Sequence, residues 1–163
     1  QYGGLVMAKW IGGSVAKFVP LLVDRGVVRP RTERRERRER WQRVVREAAE
    51  QCGRSVLPPV APPAGLSEAL ASAGGLRLLP WEEERTLGLR AVLREGLAPR
   101  EGAKRPLVSV FIGPEGGFTR REVEKALAMG VRAVSLGRRI LRSETAGIAT
   151  VAAVLYEWGE LGV

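Results

Sequence analysis

Two short apolar runs that spill into glycine turns constrain this chain more than any other feature it has. Leu107-Val-Ser-Val-Phe-Ile112 runs into Gly113-Pro-Glu-Gly-Gly-Phe118, and Val131-Arg-Ala-Val-Ser-Leu136 runs into Gly137-Arg-Arg-Ile-Leu-Arg142. Glycine admits a positive φ and lets a ligand approach the main chain, and in an open α/β sheet that happens at the carboxyl ends of the strands. Two such turns in one small unit predict one composite pocket.

The rest of the chain alternates in the same way. Phe18–Val23 reads as a first buried strand closed by a turn at 24–26, and 32–51 reads as a helix. In that helix Trp41, Val44, Val45, Ala48 and Ala49 form an apolar stripe, and Glu33, Glu36 and Glu39 each precede an arginine at i+4. Gly53 is placed to end the helix, and the prolines at 58, 59, 62 and 63 make an extended connector. A short helix at 67–73, a strand at 76–80, a helix at 82–95 and a polar loop at 96–106 bring the chain to the Leu107 run. Beyond the first glycine turn, Thr119 and Glu122 form a capping box that Phe118 and Val123 staple, starting a helix at 120–129. A last helix at 143–158 is apolar nearly all round, which requires burial inside the domain or against a second subunit. Strands alternating with helices predict an α/β fold with a mostly parallel sheet.

Charge then narrows the partners. The 163 residues carry 27 Lys and Arg against 18 Asp and Glu, a net charge of +9, which favours an anionic partner, RNA first. Between Arg29 and Arg46 nine arginines face three glutamates, a pattern that reads either as a solvated helix face or as a ridge for phosphates. Histidine is absent and cysteine occurs once, at Cys52, so no disulfide, no cysteine-rich zinc cage and no triad with a histidine base is expected. No metal site is predicted. No apolar run reaches the ~18 residues of a membrane span and no signal segment is recognisable, so a cytoplasmic protein with no membrane partner is expected.

The glycine turns carry the chemistry. Gly113–Phe118 lacks the lysine of a Walker sequence and the spacing of a dinucleotide fingerprint. It holds Glu115, a carboxylate that must face solvent, a helix amino end or a ligand. The second turn gathers Arg138, Arg139 and Arg142 just before a helix start, with Ser143 or Thr145 as N-cap. Cations are disfavoured at a helix amino end, so three of them point to an anion.

With these residues assembled, Gly113-Pro-Glu-Gly-Gly-Phe118 followed by Val134-Ser-Leu-Gly-Arg-Arg-Ile-Leu-Arg-Ser-Glu-Thr-Ala146 closely resembles the bacterial RsmE family. That family methylates N(3) of a uridine in 16S ribosomal RNA, the RNA of the small subunit. Phe18-Val-Pro-Leu-Leu22, Arg40-Trp-Gln-Arg43 and Glu47-Ala-Ala-Glu-Gln-Cys-Gly-Arg54 extend the resemblance over most of 18–156. It implies a SPOUT-type α/β fold, a mostly parallel sheet flanked by helices with a C-terminal trefoil knot, an exception to the rule against knots. It also implies S-adenosyl-L-methionine as cofactor, held largely by backbone groups at Leu79, at Gly113, Pro114, Glu115 and Gly117, and at Leu136, Gly137, Arg139, Ile140 and Leu141. On this reading Arg139 or Arg142 stabilises the uracil anion while Glu115 positions groups or accepts the proton. Arg29, Arg54, Arg138 and Arg142 are the expected RNA contacts, with small-subunit ribosomal RNA, not DNA, as partner and a homodimer as the assembly.

The chain departs from the family at its start. Residues 1–17 begin without methionine, and Lys9–Ala16 does not match the helix that relatives carry there, so 1–17 read as an atypical or truncated start and 18–163 as the methyltransferase domain. From this start, no counterpart of the amino-terminal PUA-like RNA-binding domain of relatives is expected. The alternatives are a catalytically silent knotted remnant that binds RNA and dimerises, and an α/β ligand-binding domain with no RNA role.

Overall fold

The structure is a computed structural model that describes residues 15–25, 31–97 and 107–161, with the side chains at 31–34 and 37 outside the description. Two small parallel sheets form, where one mostly parallel sheet was expected. In the first, β1 (Leu21–Leu22) pairs with β2 (Ala64–Gly65) in the register Leu21 to Ala64, and an isolated bridge joins Phe18 to Val60. The proline-rich connector is thus extended, as its composition requires, and its carbonyls and N–H groups pair with the Phe18 run. Phe18 N–H donates to Pro59 O at 3.0 Å, Ala61 N–H to Phe18 O at 2.8 Å and Ala64 N–H to Pro20 O at 3.0 Å.

Helix α1 (Arg31–Gln51) holds this connector from the other side. Gln42 donates to Pro58 O at 3.3 Å and accepts from Val60 N–H at 2.8 Å, and Arg38 Nε donates to Val60 O at 2.8 Å. The helix ends at Gly53 in the left-handed region (φ 67°), with Arg54 N–H reaching back to Ala49 O at 2.9 Å and Gly53 N–H to Glu50 O at 3.2 Å, a Schellman closure. Its packed line is narrower than the expected stripe. Trp41 and Val45 are half-buried and Ala49 is buried, whereas Val44 and Ala48 are exposed. Among the described side chains of α1, the ion pair that forms is Arg35 with Glu39 at 3.1 Å, in the arginine-first order.

The second sheet positions the site. β3 (Leu76–Pro80) lies between β4 (Val108–Val110) and β5 (Arg132–Val134), all parallel. The chain passes from β3 out to β4 on one side and returns across β3 to β5 on the other. The carboxyl ends of β4 and β5 therefore flank that of β3, the arrangement in which α/β sheets leave a crevice. Leu78, Leu79, Val108, Val110 and Val134 are at most 2% exposed, and Ser109, buried among them, donates its hydroxyl to Gly74 O at 2.9 Å. A parallel sheet covered on both faces reads as continuous apolar runs, which is why the alternation of a half-buried strand is missing here.

Helices α2 (Leu66–Ser72), α3 (Leu89–Gly96), α4 (Arg120–Ala128) and α5 (Ser143–Glu157) complete the fold, with α3 packed on α5 and Arg94 Nε 3.7 Å from Glu157. The capping box of α4 forms as read. Glu122 accepts from Thr119 N–H at 2.8 Å and from its hydroxyl at 2.9 Å, the Thr119 hydroxyl accepts from Glu122 N–H, and Phe118 and Val123 are buried on either side. The other Glu122 oxygen accepts from Asp24 N–H at 2.9 Å, so this cap also fastens the turn that follows β1. None of the helices among the described residues is long and apolar enough to cross a membrane.

Two helix boundaries differ from the sequence reading. Residues 82–88 are a turn and not the first half of a helix, because Glu84 Oε1 accepts from Thr86 N–H (2.7 Å), the Thr86 hydroxyl (2.7 Å) and Leu87 N–H (2.9 Å). Ser135 then pins 87–89 in extended form, donating to Leu87 O at 2.8 Å and accepting from Leu89 N–H at 3.0 Å. Helix α5 has Arg142 at its N-cap with no side-chain cap bond, in place of Ser143 or Thr145. Ser143 is already helical, and the first intrahelical bond runs from Ala146 N–H to Arg142 O at 2.7 Å.

The Glu84 turn carries a pH prediction. The Thr86 hydroxyl, followed by the backbone N–H groups of Leu87 and Thr86, holds the Glu84 carboxyl down from 4.5 to about 2. A carboxyl depressed in the folded state stabilises fully above its unfolded value, and that contribution is lost as pH falls through the folded one. Amide exchange at Leu87 is expected to accelerate beyond its intrinsic pH trend between pH ~4.5 and ~2, and Glu84→Gln should remove that step.

Candidate active site at the strand ends

Two adjoining cavities open at the carboxyl ends of β3, β4 and β5, of about 620 and 300 Å³. They share Pro80, Glu82, Ile140, Leu141 and Ala146, so they are two lobes of one cleft. The larger lobe is walled by the first glycine turn and the start of α5. The smaller is walled by residues 80–85 and 135–141.

The first turn is shaped by glycines that cannot be replaced freely. Gly117 has φ 67°, accepts no Cβ without running into the Glu82 carboxylate, and donates to Pro114 O at 2.9 Å. A Cβ on Gly113 would meet Phe118 N at 3.1 Å. The turn is also tied from outside, since Arg25 Nη1 donates to Gly116 O at 2.6 Å across 91 residues of sequence. With Asp24 bonded to Glu122, the turn after β1 thus holds the loop at Gly116 and the first turn of the helix that follows it.

The second turn leaves most of its backbone donors without a partner among the described residues. Gly137 has φ 118°, its N–H donates weakly to the Ser135 hydroxyl at 3.3 Å, and the N–H groups of Arg138, Arg139, Ile140 and Leu141 meet no protein partner among the described residues. Free main-chain donors on a cleft wall suit a ligand read by backbone hydrogen bonds.

The sequence candidates distribute unevenly over this cleft. Gly113, Pro114, Glu115, Gly117 and Arg142 line the larger lobe, and Leu136, Gly137, Arg138 and Arg139 line the smaller. Ile140 and Leu141 line both. Glu115 is exposed and makes no hydrogen bond or ion pair among the described residues. Leu79 is 1% exposed and faces the core, and its neighbour Pro80 is the strand-end residue that lines the cleft. Arg54 is outside both lobes and donates to Val15 O at 2.7 Å, a contact that fastens the end of α1. Arg29 lies outside the described residues. Of the expected basic ridge at 29–46, the described charged side chains are five arginines and two glutamates, all exposed, and none of these arginines lines either lobe.

Sequence reasoning missed Trp81, Glu82, Arg85 and Arg25. Reading 82–95 as helix hid Glu82 and Arg85, Trp81 fell between the predicted strand and that helix, and the only available signal was the tight Glu84–Thr86 spacing. Arg25 carries no local signal, since its partner is 91 residues away.

Comparison with known proteins agrees with this geometry. Residues 5–155 match the family described as an RNA methyltransferase domain. The chain is 38% identical over 140 residues to the ribosomal RNA small subunit methyltransferase E of Synechocystis, covering 84% of this chain and 43% of that protein. The protein of the same name from Aquifex aeolicus is 30% identical over 147 residues, covering 86% of this chain and 57% of its own length. The crystal structure of a ribosomal RNA small subunit methyltransferase E from Neisseria gonorrhoeae bound to S-adenosyl methionine superposes with a TM-score of 0.74 at 35% identity, over 90% of this chain and 57% of that one. This chain therefore spans about half the length of the relatives it matches.

Proposed function

Since this chain belongs to the RNA methyltransferase domain family, we propose that it transfers a methyl group from S-adenosyl-L-methionine to N(3) of a uridine in 16S ribosomal RNA. One observation carries the reading. The two glycine turns, beginning at Gly113 and Gly137, meet in a single cleft at the ends of three parallel strands, with backbone donors that are free among the described residues on one wall. The methyl donor fits that cleft through Pro80, the Gly113–Gly117 turn and the main chain of Leu136–Leu141. When bound, it supplies an electrophilic methyl on a sulfonium, which departs as a thioether.

The chain's own residues have two tasks. They must hold the acceptor nitrogen in line, and they must stabilise the uracil anion left when the N(3) proton departs. Arg139 and Arg142, one on each lobe, are the cations available for the anion, and Glu115 is the carboxylate free to accept the proton or to orient groups beside it. Neighbouring Ile140 and Leu141 give the shared wall its apolar side chains.

The remaining parts of the reading are a SPOUT-type trefoil knot in the carboxyl-terminal segment, residues 18–163 as the methyltransferase unit, and a cytoplasmic homodimer. Exposed apolar residues support the last. Ile140 is 78%, Ile148 71% and Tyr156 69% exposed in the single chain, on or beside a helix whose composition demands cover.

Calorimetric titration with S-adenosyl-L-methionine should give micromolar binding. Transfer of a labelled methyl to unmodified small-subunit RNA, followed by nucleoside analysis, should yield N(3)-methyluridine; binding without transfer would favour the silent remnant. Arg25→Ala is expected to weaken donor binding about 5-fold by freeing the Gly116 carbonyl, with Arg25→Lys recovering part of the loss. Unchanged affinity in Arg25→Ala would remove the loop-holding role.

A further inference from the structure

Of the five residues that the two lobes share, Glu82 alone carries a charge; Pro80, Ile140, Leu141 and Ala146 are apolar. It belongs to a run of three glutamates whose other two are committed. Glu83 accepts from Arg120 Nη2 at 2.9 Å and Glu84 accepts from Thr86 and Leu87, whereas Glu82 is exposed and makes no hydrogen bond or ion pair among the described residues. Its charge is available to the cleft.

Its position is nonetheless held. Trp81 N–H donates to Val134 O at 3.1 Å and Glu84 N–H to Trp81 O at 3.2 Å, so the main chain on either side of Glu82 is tied to β5 and to its own turn. The carboxylate lies against the main chain of Gly117, in the space that a Cβ there would fill. A carboxylate fixed in this way without a countercharge favours a cation beside it.

The rest of the cleft orders the donor along it. Apart from Glu82, the larger lobe carries Glu115 and Glu144 with Arg142, and the smaller carries Arg85, Arg138 and Arg139 with the committed Glu84. On the methyltransferase reading, the amino-acid end of the donor, an ammonium and a carboxylate, suits the larger lobe. The adenosine end suits the smaller, where the main-chain donors of Arg138–Leu141 are free among the described residues. Between those two ends of the donor lies the sulfonium, and between the two lobes lies Glu82.

Resting on that reading, we infer that Glu82 is a specificity-determining residue, which recognises the sulfonium charge and so distinguishes the donor from its spent thioether. As the bond from N(3) to the methyl carbon forms, the S–C bond breaks, its electron pair stays on sulfur, and the positive charge beside Glu82 is gone. Glu82 then has nothing to attract, and the product is held less tightly than the donor.

The test is calorimetry on the full chain with S-adenosyl-L-methionine and, separately, with S-adenosyl-L-homocysteine, which share ribose, ammonium and carboxylate and differ only in the methyl and its charge. Glu82→Gln, which keeps the shape against Gly117, is expected to weaken the donor about 10-fold and to leave the homocysteine form within twofold. Glu82→Asp keeps the charge but draws it back by one methylene, so its ratio of the two affinities should fall between those of wild type and Glu82→Gln. In wild type the preference for the donor should shrink as salt screens the charge, and in Glu82→Gln it should not. Equal losses for both ligands, or no loss for either, would overturn the inference and leave the methyltransferase reading standing. A wild-type chain that takes neither ligand would overturn that reading and the inference with it.

Discussion

Arg139→Ala is expected to lower the rate of methyl transfer by about 10²-fold to 10³-fold, the cost of removing one preorganised stabiliser of a developing anion. Donor affinity should stay within twofold, because on the proposed reading the main chain of Arg139, and not its guanidinium, holds the donor. The effect belongs in the rate constant at saturating RNA more than in KM, since the anion exists only as the proton leaves. Arg139→Lys keeps the charge but not the planar fork that matches a uracil oxygen and its neighbour, so it should recover only a fraction of the activity. Single-turnover transfer to RNA separates these outcomes. Full activity in Arg139→Ala would move the role to Arg142, on the other lobe.

Gly75→Ala is expected to destabilise the fold by about 3–5 kcal/mol, enough to unfold a domain of ordinary stability. Gly75 has φ 70°, and a Cβ there would be driven into the Leu107 backbone carbonyl, which itself accepts from Leu76 N–H at 2.8 Å. No side chain can swing away to relieve that collision, because the obstacle is the neighbouring strand. Gly53→Ala makes the comparison sharp. Gly53 has nearly the same φ, 67°, but open space beyond it, so only the left-handed backbone penalty of about 1–2 kcal/mol applies. Urea unfolding followed by circular dichroism measures both. Equal losses for the two glycines would mean that φ, not the strand contact, sets the requirement.

That pair of glycines also marks how far the sequence could be read. Gly74-Gly75 looks like a helix terminator, although α2 already ends at an extended Ala73, and nothing local says that a second strand passes within contact of it. Gly113–Phe118 and Leu136–Leu141 were legible as backbone-approach sites because glycine after an apolar run has few other uses. The capping box of α4 was legible because Thr119 and Glu122 satisfy each other within one turn. Residues 82–88 were not, since Glu84 and Ser135 override an adequate helical pattern with bonds that require the sheet to be in place. The apolar stripe of α1 was overdrawn for a related reason. A connector only a few residues wide covers that helix, so Val44 remains in solvent.

By itself, then, the order of apolar runs, glycines and caps determined the alternating α/β character, the two turns that form the site and the arginines beside them. These are interactions within one or two turns of chain, and their energies follow from residue type and spacing. Which strands became neighbours, that Arg25 holds Gly116, that Trp81 and Arg85 enter the cleft, and that the acidic and basic groups separate into two lobes were decided only in the tertiary structure. Each depends on groups tens of residues apart, and their meeting is set by how the β3, β4 and β5 crossovers pack, which no local preference encodes.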